Sequence, residues 1–258
     1  MAFDLTKSKV LTFDVYATLI DWETGIFKQL SPLLGRLPPT SALWDKSVQN
    51  AKTIFLKTFR DGESKYQAEN PSMNYPLILA KVFHYIAARL EVEVTEQEAT
   101  DFGGGIGKWD AFPDTVSALN RLQKFYKLVP LSNCDRASFN DTLDGPLQGV
   151  KFDAIYLAED IGTYKPDKNN FDYMTEHIKS DFGLEKEQIL HTAQSLSHDH
   201  VPVTKFGFPP SVWISRGAHE GSMGLQLKDV EGQVNIGATY TTLEEMADAV
   251  EKAFAAHS

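Results

Sequence analysis

The chain has 258 residues, of which 42% are hydrophobic and 11% aromatic, so it can bury one sizeable core or a core with a smaller domain. Its formal net charge of -10 at pH 7 argues against nucleic acid as a partner, because binding to phosphate backbones needs clustered lysine and arginine. A single cysteine, Cys134, excludes an intrachain disulfide and a cysteine-based zinc site.

The first predicted element is a short buried strand. Residues 9–15, KVLTFDV, form an apolar, β-rich run that breaks into a polar turn. This pattern is typical of a strand in a parallel sheet that is covered on both faces. The interpretation places Asp14 at the carboxyl end of that strand.

Helical spacing dominates the sequence from about residue 23 to residue 108. Apolar residues recur at helical intervals around Phe55 and Phe59, and again in the segment PLILAKVFHYIAARL. We therefore predict a separate helical domain at 23–108, inserted after the first strand. The core would then consist of residues 1–22 and 109–258.

Strand-like and helical segments alternate again in the second half of the chain. The segment TVSALNRLQKF predicts a helix, and a further helix is expected after Pro166. The last helix carries a capping-box pattern at Thr241 and Glu244. This alternation predicts an α/β fold with a Rossmann-like parallel sheet and helices on both faces. The segments predicted as strands here are KLVPLSN, FDAIYLAED, QILHTAQS and SVWISR.

Polar side chains follow four of the predicted strands. Ligands of open α/β sheets bind outside the carboxyl ends of the strands, so these side chains are candidates for one site. We expect the Lys165 ammonium to keep Asp14 ionised and the hydroxyls of Thr18 and Ser132 to orient it, which would make Asp14 a nucleophile. The residues in question are Asp14 with Thr18, Ser132 with Asn133, Lys165, and Asp199.

The segments FDVYATL, PLSN, YKP and QSLSHD, in this order, resemble the four motifs of the haloacid dehalogenase superfamily. The predicted helical insertion resembles the helical cap of that superfamily, so the resemblance covers nearly the whole chain. It implies that Asp14 forms a covalent intermediate, which water then hydrolyses.

The residue two positions after the nucleophile separates the branches of this superfamily. Phosphatases carry a second aspartate there, which protonates the leaving alkoxide, whereas this chain has Tyr16. A tyrosine with an ordinary pKa of about 10 is a poor general acid near neutral pH. A halide leaves without a proton, and FDVYATL is similar to the nucleophile motif of the type II 2-haloacid dehalogenases. The resemblance therefore implies displacement at carbon, on a 2-haloacid or a divergent substrate.

Other positions differ from the type II dehalogenases. Asp45 stands where the resemblance implies a halide-binding arginine, Phe171 where it implies a tyrosine, and Gln194 and Leu196 where it implies serine and asparagine. A carboxylate at residue 45 favours a neutral or cationic substrate group. The candidate substrate-binding residues are Tyr16, Asn133, Asp45, Phe171 and Gln194.

Metal binding is open at this point. The expected cofactor is none, but Asp14 and Asp199 could hold Mg²⁺ with water, since this ion often uses one or two carboxylates. His191, His198 and His200 have no second cluster that would complete a tetrahedral zinc set. His198 and His200 are candidate bases for water activation.

Three functions remain open from the sequence alone. A dehalogenase-like hydrolase is the first, a Mg²⁺-dependent phosphatase or phosphonatase-like hydrolase the second, and a repurposed fold with a binding role or a different reaction the third. The expected partner is a small-molecule substrate, with neither nucleic acid nor membrane, and exposed apolar cap helices would allow a homodimer. No apolar stretch is long enough to cross a bilayer and the start of the chain lacks the apolar centre of a signal peptide, so we expect a cytoplasmic protein.

Overall fold

The computed structural model describes residues 3–41, 48–217 and 225–257. Asp45, a candidate substrate-binding residue, lies outside the described residues. Among the helices in these ranges, none combines the length and the apolar composition needed to span a membrane.

Within the described residues, six strands form one parallel sheet, in the order β3-β2-β1-β4-β5-β6. Helices pack on both of its faces, so the predicted α/β fold with a Rossmann-like core is confirmed. The strands are β1 Val10–Phe13, β2 Lys127–Ser132, β3 Tyr156–Leu157, β4 Ile189–Ala193, β5 Ser211–Ile214 and β6 Ile236–Tyr240.

Among the described residues, four α-helices lie between β1 and the helix that leads into β2. They are α1 Trp22–Leu30, α2 Val48–Glu69, α3 Tyr75–Leu90 and α4 Glu96–Gly103. Phe55 and Phe59 of α2 are fully buried, and the Phe59 ring packs edge-on against Trp22 and against Phe102 of α4. The predicted apolar face of this segment thus forms a helical core, while its division from the sheet as a domain at 23–108 stays a prediction.

The remaining helices connect and cover the strands. They are α5 Thr115–Leu122, α6 Arg136–Asp144, α7 Ala158–Ile161, α8 Lys168–Phe182, α9 Val201–Lys205 and α10 Leu243–Ala255. Gly183 ends α8 with a φ of +65°, a conformation that a residue without Cβ adopts at little cost.

The strand order brings the predicted site residues to one edge of the sheet. β1 pairs with β2 on one side and with β4 on the other, with Phe13 opposite both Pro130 and Thr192. The residues that follow these three central strands therefore emerge next to one another. Parallel strands make this convergence possible, because their carboxyl ends lie on the same side.

Three details of the sequence interpretation were wrong. The segment FDAIYLAED contributes only Tyr156–Leu157 to the sheet, since Ala158–Ile161 is helical. The last helix is capped one residue later than predicted, because the Thr242 hydroxyl accepts from the Glu245 amide. The sixth strand, Ile236–Tyr240, was not predicted, and its weakly buried residues explain the weak apolar signal.

Candidate active site

A tight turn after β1 holds the Asp14 carboxylate. Ala17 adopts a positive φ of 86°, which folds the chain back so that Thr18 lies beside Asp14. The Thr18 hydroxyl donates a hydrogen bond to Asp14 Oδ2 at 2.8 Å and accepts one from the Gln194 amide at 2.9 Å. Since Gln194 follows β4, this hydroxyl ties the turn to the neighbouring strand and fixes the orientation of the carboxylate.

Lys165 joins two carboxylates at the centre of the site. Its Nζ donates to Asp14 Oδ1 at 2.9 Å and to Asp199 Oδ1 at 2.8 Å, and its side chain is 1% exposed. Asn133 holds the backbone of Lys165 in place, because its Oδ1 accepts from the Lys165 amide at 2.7 Å and its Nδ2 donates to the Lys165 carbonyl at 3.0 Å. Asn133 therefore acts here by positioning Lys165.

Asp199 lies in a π-helical turn, Leu196–His200, directly after β4 and is fully buried. Its Oδ1 also pairs with His191 Nε2 at 2.9 Å, and His191 Nδ1 pairs with the Thr12 hydroxyl at 2.7 Å. An ionised carboxylate only accepts hydrogen bonds, so Nε2 of His191 donates to Asp199. The hydrogen-bonded series Thr12, His191, Asp199 and Lys165 thus supports the nucleophile Asp14.

Burial and neighbouring charges shift the pKa values of the residues in this cluster in different directions. Burial raises the pKa of Asp14, and the Lys165 ammonium offsets part of that rise. Burial also acts to raise the pKa of Asp199, but Lys165 and His191 outweigh it and hold that pKa well below 3.8. Burial alone would lower the pKa of Lys165, whereas its two carboxylate partners raise it. Asp14 is thus the more basic carboxylate of the pair, as a nucleophile requires.

A cavity of about 270 Å³ opens over Asp14. This volume is near the lower limit of small-molecule sites, about 300 Å³, so a small substrate fits. The predicted site residues that line it are Asp14, Tyr16, Ser132, Asn133, Lys165 and Gln194, and its lining also includes Arg60, Glu63, Ser64, Gln67 and Tyr75 of α2 and α3.

The hydrogen bond and the pKa of the Tyr16 hydroxyl do not suit a general acid. Thr142 donates its own proton to the Ser138 carbonyl, so the Tyr16 hydroxyl donates to Thr142 Oγ1, at 2.8 Å. Burial raises the pKa of Tyr16 well above 10. The Tyr16 ring also packs edge-on against Trp109. Tyr16 therefore lines the cavity as an aromatic surface and holds its proton tightly.

The structure separates the other candidates into those that line the cavity and those that do not. Ser132 lines the cavity, while its hydroxyl oxygen is enclosed and has no oxygen or nitrogen partner in the described structure. Phe171 is 1% exposed and packs against Phe206 and Phe208 on the far face of the sheet. Our interpretation of Phe171 as a substrate contact is not supported, because the buried side of α8 directs its ring into the core. Leu196 is likewise buried, in an apolar cluster with Trp213.

Several residues of the site were not found from the sequence. Glu63 is buried, accepts a hydrogen bond from the Tyr75 hydroxyl, and has its pKa raised by burial to about 7. Arg216 donates from Nε to the Thr18 carbonyl at 2.9 Å and from Nη1 to both oxygens of Asp114, at 2.6 and 2.9 Å. No local pattern marks these residues, since a single glutamate in a helix or arginine after a strand is usually solvated.

The two aspartates do not fit a shared magnesium ion as they are arranged. Each gives its Oδ1 to Lys165, and the Oδ2 of Asp14 accepts from Thr18. The Oδ2 of Asp199 is the remaining oxygen, and it is enclosed without a partner among the described residues. In the part of the chain that the structure describes, no three histidine, cysteine, aspartate or glutamate side chains form a group that could hold a metal.

No protein-family model and no curated protein sequence matches this chain. Its structure is similar to that of an L-2-haloacid dehalogenase with 18% sequence identity and a TM-score of 0.72, over 95% of this chain and 99% of that one. The L-2-haloacid dehalogenase from Xanthobacter autotrophicus with chloropropionic acid covalently bound has 15% identity and a TM-score of 0.71, over 95% of this chain and 98% of that one. The putative HAD-hydrolase YfnB from Bacillus subtilis, bound to magnesium, has 18% identity and a TM-score of 0.69, over 95% and 99%.

These comparisons establish the fold of the chain. The predicted resemblance to the haloacid dehalogenase superfamily and its type II branch is confirmed at the level of the fold. The similar structures are hydrolases, which supports an enzyme. At 15% to 18% identity, the likeness does not extend to the substrate.

Proposed function

We propose that this chain, which has the fold of the haloacid dehalogenases, is a metal-independent hydrolase that uses Asp14 to displace a halide from a small 2-haloacid or a related molecule. The observation that carries the proposal is the setting of Asp14 at the cavity. Lys165 and Thr18 orient its two oxygens, while the neighbouring Tyr16 hydroxyl donates to Thr142. The Asp14 carboxylate is therefore oriented for attack, and Tyr16 offers no proton for a leaving group.

The first chemical step is an attack by one Asp14 oxygen on the halogen-bearing carbon. Each carboxylate oxygen keeps a lone pair beyond the one that accepts its hydrogen bond. The new C–O bond forms as the carbon–halogen bond breaks, and the halide leaves with the electron pair. An ester of Asp14 results, and the positive charge of Lys165 remains paired with Asp199 during this step.

The second step releases the product. Water attacks the carboxyl carbon of the Asp14 ester, and the bond between that carbon and the substrate oxygen breaks. The substrate leaves as an alcohol, the Asp14 carboxylate is restored, and one proton is released. The sum is replacement of the halide by hydroxyl with no change in oxidation state.

Arg60 supplies a cation for a substrate carboxylate in this proposal. It lies on α2 and lines the same cavity as Asp14. A guanidinium binds a carboxylate through two parallel N–H donors, which would orient a 2-haloacid as well as attract it.

The test is chloride release from L-2-chloropropionate in the presence of EDTA. We expect release by the wild-type protein and none by Asp14→Asn, which keeps the size of the side chain. A single turnover in heavy-oxygen water should place the label in Asp14 and leave the product unlabelled. No halide release from the fluoro-, chloro- and bromo- forms of this acid would contradict the proposal.

A Mg²⁺-dependent phosphatase is the second candidate. It is favoured by the uncommitted Oδ2 of Asp199 and by the magnesium bound to YfnB. Turnover of an aryl phosphate that needs Mg²⁺ and is lost in Asp14→Asn would support it over dehalogenation. If the protein shows neither of these two activities, the result would point to the third possibility, a binding role or a different reaction.

The predicted partners and location agree with either hydrolase. The cavity volume suits a small-molecule substrate. A homodimer stays a prediction. Leu77 on α3, which is 58% exposed, is an apolar residue that a dimer contact could bury. Sedimentation of the purified protein measures the oligomeric state, and the cytoplasmic location stays a prediction as well.

A further inference from the structure

This inference rests on the proposed function and concerns its second step. Hydrolysis of the Asp14 ester needs a group that takes a proton from the attacking water. Lys165 carries its full complement of protons, because its carboxylate partners raise its pKa. Asp199 is a weak base, since its pKa is held well below 3.8. The residues that prepare the nucleophile therefore do not supply this proton acceptor.

His198 is a candidate for this role because it lines the same cavity as Asp14. It lies in the π-helical turn beside Asp199, and its side chain lines the cavity together with Asp14. The Ser195 hydroxyl, also on the cavity wall, accepts from the His198 amide at 3.2 Å and holds the turn. The ring makes no hydrogen bond to another described residue, so its nitrogens are available to water.

The charge state of His198 also suits a base. Burial lowers the pKa of its imidazole, and the nearby Lys165 cation lowers it further, against the raising effect of the carboxylates Asp199 and Asp14. The ring is therefore neutral at neutral pH. A neutral imidazole can accept a proton from water and later return it.

The two neighbouring histidines are committed elsewhere. His200 is fully buried, with Nδ1 paired to the Ser211 hydroxyl at 2.7 Å and Nε2 to the Ala193 carbonyl at 2.9 Å. His191 uses both ring nitrogens, for Thr12 and Asp199. Of these three, His198 alone presents an imidazole to the cavity.

We propose that His198 is the general base for hydrolysis of the Asp14 ester. Its ring nitrogen takes a proton from water while the water oxygen bonds to the carboxyl carbon of Asp14. The tetrahedral intermediate then collapses: the bond from that carbon to the substrate oxygen breaks, and His198 returns the proton to the departing alcohol. His198 is thereby regenerated as a neutral base.

The experiment separates the two chemical steps in His198→Asn and, as a second variant, His198→Gln. With L-2-chloropropionate we expect one chloride released per enzyme, after which steady-state release is slower than wild type by about 100-fold or more. Intact-mass spectrometry should find the Asp14 ester accumulated in both variants and absent from the wild type. His177→Asn, a substitution on α8 away from the cavity, controls for the loss of an imidazole, and thermal melts verify that each variant is folded.

Two results would overturn the inference while leaving the proposed function intact. One is wild-type turnover in the folded His198 variants. The other is an equal loss of the first chloride and of turnover without any ester, which would indicate that His198 merely shapes the site. If the wild-type protein itself releases no halide, the proposed function fails, and the role of His198 fails with it.

Discussion

The substitution Glu63→Gln should change how the stability of this protein depends on pH. Glu63 is a buried carboxyl group on α2 that accepts a hydrogen bond from the Tyr75 hydroxyl. Burial raises its pKa from 4.5 to about 7. The amide side chain of the variant would keep the shape of the glutamate and an oxygen that accepts from Tyr75, but it cannot ionise.

The sign of the effect follows from the raised pKa. At low pH the carboxyl is protonated in both the folded and the unfolded chain, and the stability from this group is fully present. As pH rises from 4.5 to about 7, the unfolded chain loses the proton first, so unfolding becomes easier. Each pH unit is worth ~1.4 kcal/mol, so the free energy of unfolding loses about 3 kcal/mol over this range.

The assay is urea unfolding of wild type and Glu63→Gln at about pH 5 and about pH 8, between which Glu63 accounts for roughly 2.5 kcal/mol. We expect the loss of stability on going to the higher pH to be smaller in the variant by that amount. Glu69→Gln, at an exposed position of the same helix, controls for the removal of one negative charge. The same pH dependence in wild type and Glu63→Gln would refute the reasoning, because the folded chain would then hold no extra proton at Glu63.

Three further predictions concern the nucleophile and its support. Lys165→Gln should abolish halide release and lower the free energy of unfolding at neutral pH by about 3–5 kcal/mol, because two buried carboxylates lose their shared cation. Denaturant curves and chloride assays of the variant that match those of the wild type would contradict this. Asp114→Ala should destabilise by a similar ~3–5 kcal/mol, since Arg216 is left as an unpaired, largely buried cation, and a change below about 1 kcal/mol in urea would show that this pair is unimportant. Tyr16→Phe should cost about 1 kcal/mol of stability through the lost hydrogen bond to Thr142, yet keep chloride release within a few-fold of wild type. A rate loss of about 100-fold or more would instead identify Tyr16 as a proton donor.

Much of the fold was predictable because its signals are local. Buried parallel strands are short apolar runs, and KVLTFDV and KLVPLSN became β1 and β2. The helical segment carries apolar residues at helical intervals, so Phe55 and Phe59 were predicted inside it and are fully buried. The weaker patterns failed: β6 alternates little in burial and was missed, and the cap of α10 lies one residue away from the predicted pair.

The polar residues at the strand ends could also be identified from the sequence. Asp14, Lys165 and Asp199 follow three different elements, and the rule that parallel strands present their carboxyl ends at one edge predicted their convergence. In the structure Lys165 contacts both aspartates. Their types and their positions after apolar runs are properties that a one-dimensional pattern contains.

Contacts between distant segments were decided by the tertiary structure alone. Glu63 and Arg60 lie on a helical face whose direction toward Asp14 depends on how α2 packs, and no sequence interval encodes that direction. Phe171 shows the converse, since its place in the sequence indicated a substrate contact while the packing of α8 buries it beneath the sheet. The rise in the pKa values of Asp14 and Glu63 also occurs only on folding, because desolvation and neighbouring charge depend on three-dimensional distance. The sequence by itself thus determined which groups meet at the strand ends, and the packed structure determined which others face them and in what charge state.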